Sequence, residues 1–426
     1  MERMTMASHI CVLGLLVALA GCSDAPANGP TLAVGGRHIC ILETTGELRC
    51  VGWPALPVPI DWVGEEGSPD VVPPVDVGDR VLHVDAAQEH MCAVTASGEI
   101  HCWGQGPGLG VDRSKPYHHA VTTVAAPFRR VRTGWRRTCG VTDDRQLWCW
   151  GEGPHGELGH DTERIIGDDE APADVGPVPL PWPVTDVALG SIATCALLED
   201  GRVGCWGDSV GTASEAQAVD VGGVVVQLEV GQHNFCGLLA DGGVRCWGGS
   251  TVGHDDGIHV CWPGCNVEGC CKDGDLDPAA RGDLPLSGEA VALSVGTSHT
   301  CVVLADGAVR CWGSNKVGEL GLGHTNRVAL PTEVDVGGPA EVVVPSNSLA
   351  WSARTCAQLR DGTVRCWGLT DHWDDAIDQD CQIEVSNPNY GVHGEDPIIK
   401  EFSCTAGPTC CIGDDEPAAA ALPVPL

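Results

Sequence analysis

Residues Val291–Gly323 read VALSVGTSHTCVVLADGAVRCWGSNKVGELGLG, and this stretch decides the fold. Val291, Leu293 and Val295 alternate with smaller residues, the period of a half-buried strand. Gly296 ends that run. Two further apolar runs, CVVL from Cys301 and VRCW from Val309, flank Ala305-Asp306-Gly307. Asp-Gly is a hairpin signal because glycine accepts the positive φ such a turn requires. A hairpin centred on Asp306 sets Cys301 opposite Cys311, and Val303 opposite Val309 on the same face. Directly opposed residues have Cβ atoms close enough for a disulfide.

The same unit recurs along the chain. Cys40 is followed by Cys50, Cys92 by Cys102, Cys139 by Cys149 and Cys195 by Cys205, always with nine residues between them. Cys236 and Cys246, Cys301 and Cys311, and Cys356 and Cys366 continue the series. First cysteines lie 52, 47, 56, 41, 65 and 55 residues apart, the size of a propeller blade. The turn signal repeats at Asp200-Gly201, Asp241-Gly242 and Asp361-Gly362, with Ser97-Gly98 and Thr45-Gly46 as variants. Cys-Trp-Gly closes six copies, at Trp103, Trp150, Trp206, Trp247, Trp312 and Trp367, whereas the first copy reads Cys50-Val51-Gly52-Trp53.

Composition agrees with a repeat built of short strands. The 426 residues contain 14 Trp but only 3 Phe and 2 Tyr, so tryptophan belongs to the repeated motif. With 57 Gly and 29 Pro and no long amphipathic helical stretch, turns join many strands. The net charge of −34 repels phosphate backbones, which argues against nucleic acid as a partner. The 24 cysteines read as disulfides if the chain is exported. Zinc is the competing reading, but two pairs would have to converge where blades hold equivalent positions apart. Each short disulfide loop contributes at most about 3 kcal/mol through chain entropy.

The pattern G-x-x-H-x-C-x-L-x-x-x-G-x-V-x-C-W-G, followed by G-x-L-G-x-G, resembles the regulator of chromosome condensation repeat. It is most similar to the cysteine-bearing bacterial branch of that family. The tail survives at Gly156–Gly159 and Gly318–Gly321. The resemblance covers residues 31–426 apart from inserts and implies an all-β fold, a seven-bladed propeller of four-stranded antiparallel blades closed into a ring. Ala421–Leu426 (ALPVPL) is similar to Leu330–Val336 (LPTEVDV) and is expected to complete the last blade. The family's nucleotide-exchange member works on a small GTPase and chromatin, and an exported acidic chain is not expected to share those partners. Gly134-Trp135-Arg136-Arg137-Thr138 is similar to the Trp-Arg motif of the plant ultraviolet-B photoreceptor, but it occurs once, where that kind of light sensing needs a Trp cluster.

Residues 1–21 read as an export signal, with Arg3 ahead of an apolar run from Ile10 to Ala20 that is too short to span a bilayer. The run ends Leu19-Ala20-Gly21-Cys22, which resembles a bacterial lipobox and implies cleavage before Cys22 and its lipidation. Ser23 rather than Asp at the next position favours the outer membrane by the same resemblance. Residues 22–30 are expected to serve as a flexible tether.

Two inserts, about 249–285 and 369–418, interrupt the repeats. The first carries Cys261, Cys265, Cys270 and Cys271; the second carries Cys381, Cys404, Cys410 and Cys411. Four cysteines allow two bridges in three connectivities, which sequence alone leaves open. Both inserts follow equivalent strands and should share one face of the ring. Their aromatics Trp262, Trp373 and Tyr390 are candidate partner anchors, or packing against the cysteines. Asp273, Asp275 and Asp277 alternate as Ca²⁺ ligands can, but the glycine and glutamate of a helix-loop-helix calcium site are missing, and a solvated acidic loop is the simpler reading.

The family histidine two residues before the first cysteine is present as His38, His90 and His299; Arg137, Ala193, Asn234 and Arg354 replace it elsewhere. Three scattered histidines fit backbone partners in their own turns better than a metal ring. No nucleophile elbow, phosphate loop or HExxH helix is present, and no cofactor is expected. The expected function is a binding scaffold, a lipid-anchored propeller of the cell envelope whose loops recognise a protein or glycan. The alternative is a propeller lyase or hydrolase with a polar cluster at the channel mouth, for which two or more His beside carboxylates would speak.

Overall fold

The computed structural model describes residues 31–36, 38–52, 74–110, 118–124, 126–160, 165–191, 193–207, 216–231, 234–248, 253, 278–346, 353–368, 381–385 and 399–404. These form seven antiparallel sheets in chain order and one further two-stranded sheet. Each of the seven is one blade, whose first strands are Thr31–Val34, Val81–Ala86, Phe128–Thr133, Val184–Leu189, Val225–Val230, Ala290–Val295 and Ala340–Pro345. Every first strand contacts the first strand of the next blade, and Ala340–Pro345 contacts Thr31–Val34. Only a ring with these strands innermost brings all of them together, so they line a central channel.

The second and third strands carry the repeat's logic. Cys301 stands opposite Cys311 and Val303 opposite Val309, and the equivalent register holds in all seven blades. Each opposed cysteine pair is a disulfide. Cys40 bonds to Cys50, Cys92 to Cys102, Cys139 to Cys149 and Cys195 to Cys205. Cys236 bonds to Cys246, Cys301 to Cys311 and Cys356 to Cys366. Across the seven the Cα atoms are 4.0–4.2 Å apart. The pairs expected from the nine-residue spacing are therefore the pairs that form, and no two of them converge on a shared zinc.

The turn connecting these strands has three residues. In blade 6 Leu304 N donates to Ala308 O at 2.8 Å, Gly307 N to Leu304 O at 2.8 Å, and Gly307 has φ +92°. That is a turn followed by a left-handed residue, the usual geometry of a three-residue hairpin loop. Six blades put glycine there; blade 3 instead uses Arg145 at φ +67°.

A fourth strand is present in blades 2, 4 and 6, as His118–Thr122, Gln217–Val219 and Val328–Val334. Among the described residues blades 1, 3 and 5 show three strands, and the chain beyond their third strands is only partly described. Outside those third strands lie backbone bonds from Val75 N to Leu48 O, Val178 N to Leu147 O, and Leu284 N to Val244 O, at 2.7–2.9 Å, and in blade 3 Gly151 and Ile166 exchange two more at 2.8 and 3.1 Å. Pro74, Pro177 and Pro179, and Pro285 flank those residues, and a proline nitrogen has no hydrogen with which to extend a ladder. After Gly368 in blade 7 the next residues lie outside those described.

Blades are locked by a recurring bond pair. In blade 3, Thr138 Oγ1 and Trp150 Nε1 donate to Gly108 O of the preceding blade's tail at 2.7 and 3.0 Å. Thr194 and Trp206 of blade 4 do the same to Glu157 O, and Thr355 and Trp367 of blade 7 to Glu319 O. In these three blades the tail therefore offers a carbonyl that the next blade's Thr and Trp share, which gives the repeat tryptophan a role there. The ring closes where Leu32, Val34, Ile39 and Ile41 pack on Cys356, Val364, Val342 and Val344. Arg354 Nη2 adds a 2.9 Å bond to Gly35 O. The closing role expected of Ala421–Leu426 lies outside the described residues, as do the export signal and tether.

Candidate functional site

The cysteines of the blades are structural staples, bonded within their own hairpins and all buried or nearly so. The expected lipid-bearing Cys22 lies outside the described residues. So do Cys261, Cys265, Cys270, Cys271, Cys410 and Cys411, the aromatics Trp262, Trp373 and Tyr390, and the carboxylates Asp273, Asp275 and Asp277. Cys381 and Cys404 are described at the backbone and face each other in register.

Two of the three histidines, His90 and His299, do something other than cap their own turns. His90 Nε2 meets Thr138 Oγ1 of the next blade at 2.9 Å, and His299 Nε2 meets Thr355 Oγ1 at 2.7 Å. Each threonine hydroxyl already donates to a tail carbonyl, so it must accept from the ring; Nε2 carries the proton and Nδ1 is bare. Burial lowers both imidazoles to about 4, so they stay neutral. Substitutes at this position also reach across. Asn234 Nδ2 donates to Thr300 Oγ1 at 3.4 Å, and Arg137 donates to Gly190 O and, at 3.4 Å, Ala193 O. At His90, His299, Asn234, Arg137 and Arg354 the position connects one blade to the next.

Charged groups gather in the channel instead, at positions that carry no repeated residue. On the inner strands of blades 2 to 5 stand His83, Asp85, Arg130, Arg132, Asp186, Gln227 and Glu229. Arg132 holds Asp186 with two bonds, Nε–Oδ1 at 3.0 Å and Nη2–Oδ2 at 2.8 Å, and reaches Glu229 Oε1 at 3.2 Å. Arg130 Nη1 approaches Asp186 Oδ2 at 3.5 Å. Asp85 Oδ2 accepts from Thr133 N and Oγ1 at 2.6 and 2.8 Å. Gln227 donates to Glu229 at 3.0 Å and exchanges two bonds with the Leu293 backbone.

Electrostatics follows this geometry. Burial alone would raise Asp186, but the Arg132 guanidinium outweighs it and holds the carboxyl well below the usual range. Asp85 and Glu229 are raised by burial, which Arg132 only partly offsets. Burial, with Arg130 and Arg132 nearby, pushes His83 down to about 3. One imidazole stands here among the described residues, and the arginines and carboxylates are bonded blade to blade. The arrangement is a clasp across four blades. Its signal in the sequence is one of register: Asp85, Arg132 and Glu229 each lie seven residues before the first cysteine of their blade.

The opposite feature is an exposed one. Trp135 is 53% exposed, whereas the repeat tryptophans Trp103, Trp150, Trp206, Trp247, Trp312 and Trp367 are buried. It sits in the tight turn closed by Gly134 N to Arg137 O at 2.8 Å. Arg136 Nη1 pairs with Glu152 Oε2 at 3.0 Å, and Glu152 N donates to Arg136 O at 3.0 Å, so both ends of the turn are fixed. The face carrying this turn is also the one where third strands end. Gly248 is opposite Asn234 and Gly368 opposite Arg354, so the chain departs toward both inserts from that face.

The regulator of chromosome condensation (RCC1) repeat matches residues 128–157 and 290–319, parts of blades 3 and 6. Solved structures give the same fold. Human WBSCR16 is 17% identical over 75% of this chain and 85% of its own, with a TM-score of 0.57. Prp20p from Saccharomyces cerevisiae, described with its binding properties to Gsp1p and histones, is 17% identical over 74% and 79%, at 0.56. Yeast RCC1 (Prp20) bound to Kap60 is 17% identical over 75% and 78%, at 0.58. Residues 128–157 and 290–319 thus carry the regulator of chromosome condensation repeat, within a fold of seven cysteine-stapled blades like that of these structures.

Proposed function

We propose that the protein is an interaction scaffold of the cell envelope, exported and lipid-anchored through Cys22, that recognises a protein or glycan partner on the face carrying Trp135. The observation that carries the reading is the exposed indole on a turn fixed at both ends. A large aromatic held rigid loses little conformational freedom on binding, which is what an anchor requires. Supporting it, both insert exits share that face, and the charged groups of the channel are engaged with one another. The anchor itself is supported by the Leu19–Cys22 motif. The partners named for the yeast protein are not carried over, because the likeness is one of fold and the chain's charge is −34.

Envelope extract should be passed over the mature chain and over Trp135→Ala, with bound material quantified for protein and for sugar. A partner retained by the first and reduced at least tenfold on the second supports the reading. Equal recovery on both removes Trp135 as the anchor. Metabolic labelling with a radioactive fatty acid should mark the wild type and spare Cys22→Ser; label on both would refute the lipid anchor.

A further inference from the structure

The two-stranded sheet beyond blade 7 pairs Cys381–Val385 with Ile399–Cys404 in antiparallel register. Cys381 stands opposite Cys404, Gln382 opposite Ser403, and Ile383 opposite Phe402. Strand alternation places the Cys381/Cys404 and Ile383/Phe402 positions on one face. Blade 6 is organised the same way, with Cys301 opposite Cys311 and, two residues on, Val303 opposite Val309. From the cysteines to Ile383 and Phe402 the insert hairpin thus repeats the register of a blade hairpin, although the chain between its strands, residues 386–398, is far longer than Ala305-Asp306-Gly307.

In this protein direct opposition and bonding go together: every opposed cysteine pair of the seven blades is a disulfide. The reason is geometric, since opposed residues of an antiparallel pair have Cβ atoms within bridging reach and neighbours one step along point to the other face. The four cysteines of the second insert could otherwise pair in three ways. We infer that Cys381 and Cys404 form an eighth cross-strand disulfide, which fixes the connectivity of the insert and leaves Cys410 and Cys411 outside its stem. Formation joins the two sulfurs and releases two protons. The two electrons pass by thiol–disulfide exchange to a protein disulfide, which is reduced to a dithiol.

The experiment is a disulfide map of the full chain secreted into an oxidising compartment. Free thiols are alkylated first, the chain is digested without reduction, and the peptide bearing Cys381 is sequenced by fragment ions. Linkage of Cys381 to Cys404 is expected. Linkage to Cys410 or Cys411, or an alkylated Cys381, overturns the inference. In Cys404→Ser, alkylation without reduction should gain one labelled site per chain, at Cys381; an unchanged label count overturns it as well.

Discussion

Blades 2 to 5 and blades 6, 7 and 1 line one channel with different chemistry. Opposite the first cysteine the former carry Asp85, Arg132, Ala188 and Glu229, the latter Ser294, Val344 and Ala33. Two residues earlier the contrast repeats, with His83, Arg130, Asp186 and Gln227 against Ala292, Val342 and Thr31. One arc is held by directed, charge-assisted bonds and the other by contact of small and branched side chains. The seam where the first and last blades meet falls in the second arc. Packing tolerates small offsets that a bidentate ion pair does not, so the seam, apart from the Arg354 bond to Gly35 O, joins the ring through its more tolerant contacts.

The largest way to break this contrast is Arg132→Ala. It leaves Asp186 buried without its two bonds, and losing one partner of such a pair costs about 3–5 kcal/mol. Chemical denaturation should show it as a large drop in midpoint; a drop below about 1 kcal/mol would mean that the clasp is solvated. Ile39→Ala attacks the other arc. Ile39 is 1% exposed at the closing seam, and a large-to-small change there costs about 2–4 kcal/mol. Because that loss is apolar, it should be insensitive to added salt, unlike the first.

Acid sharpens the comparison further. His83 is neutral in the fold, lowered to about 3, whereas an unfolded imidazole titrates near 6.5. Between those values the unfolded chain binds more protons, so stability is full above pH 6.5 and is lost as pH falls toward 3. Asp186, lowered, adds loss only below the unfolded carboxylate value, whereas raised Asp85 and Glu229 gain stability as pH falls toward that value from above. His83→Gln should therefore flatten the stability slope between pH 4 and 6 by up to about 1.4 kcal/mol per pH unit. An unchanged slope would show that the imidazole is already protonated in the fold. The smallest effect is a gain: Arg145→Gly places glycine where six other blades have it, and should stabilise by about 0.5–1 kcal/mol. A loss instead would mean that the Arg145 side chain contributes more than its backbone strain costs.

Much of this architecture is legible in the sequence. The spacing of Cys301 and Cys311 around Asp306 gives strand, turn and register together, because a hairpin leaves one solution for opposed residues. The outer strand is less legible: Pro74, Pro177, Pro179 and Pro285 interrupt it locally, while the family pattern speaks for the average blade. The channel clasp is legible only through register, at the position seven residues before each first cysteine. Its charges differ from blade to blade, so they are invisible to a search for what repeats, and they meet only after the ring closes. Trp135 stands out in the sequence through its neighbours Arg136 and Arg137, but its exposure depends on the turn that lifts it from the core.

Each blade disulfide joins residues ten positions apart in the chain. Loops of that length close in about 10–100 ns, far faster than cysteines of different blades can meet. Correct pairing thus needs no knowledge of the ring: the nearest thiol in sequence is the right one. The bonds that Thr138 and Trp150, Thr194 and Trp206, and Thr355 and Trp367 make run back to tails that precede them in the chain. A chain delivered from its amino terminus can then oxidise and dock one hairpin at a time, and only the final seam must wait for the last blade.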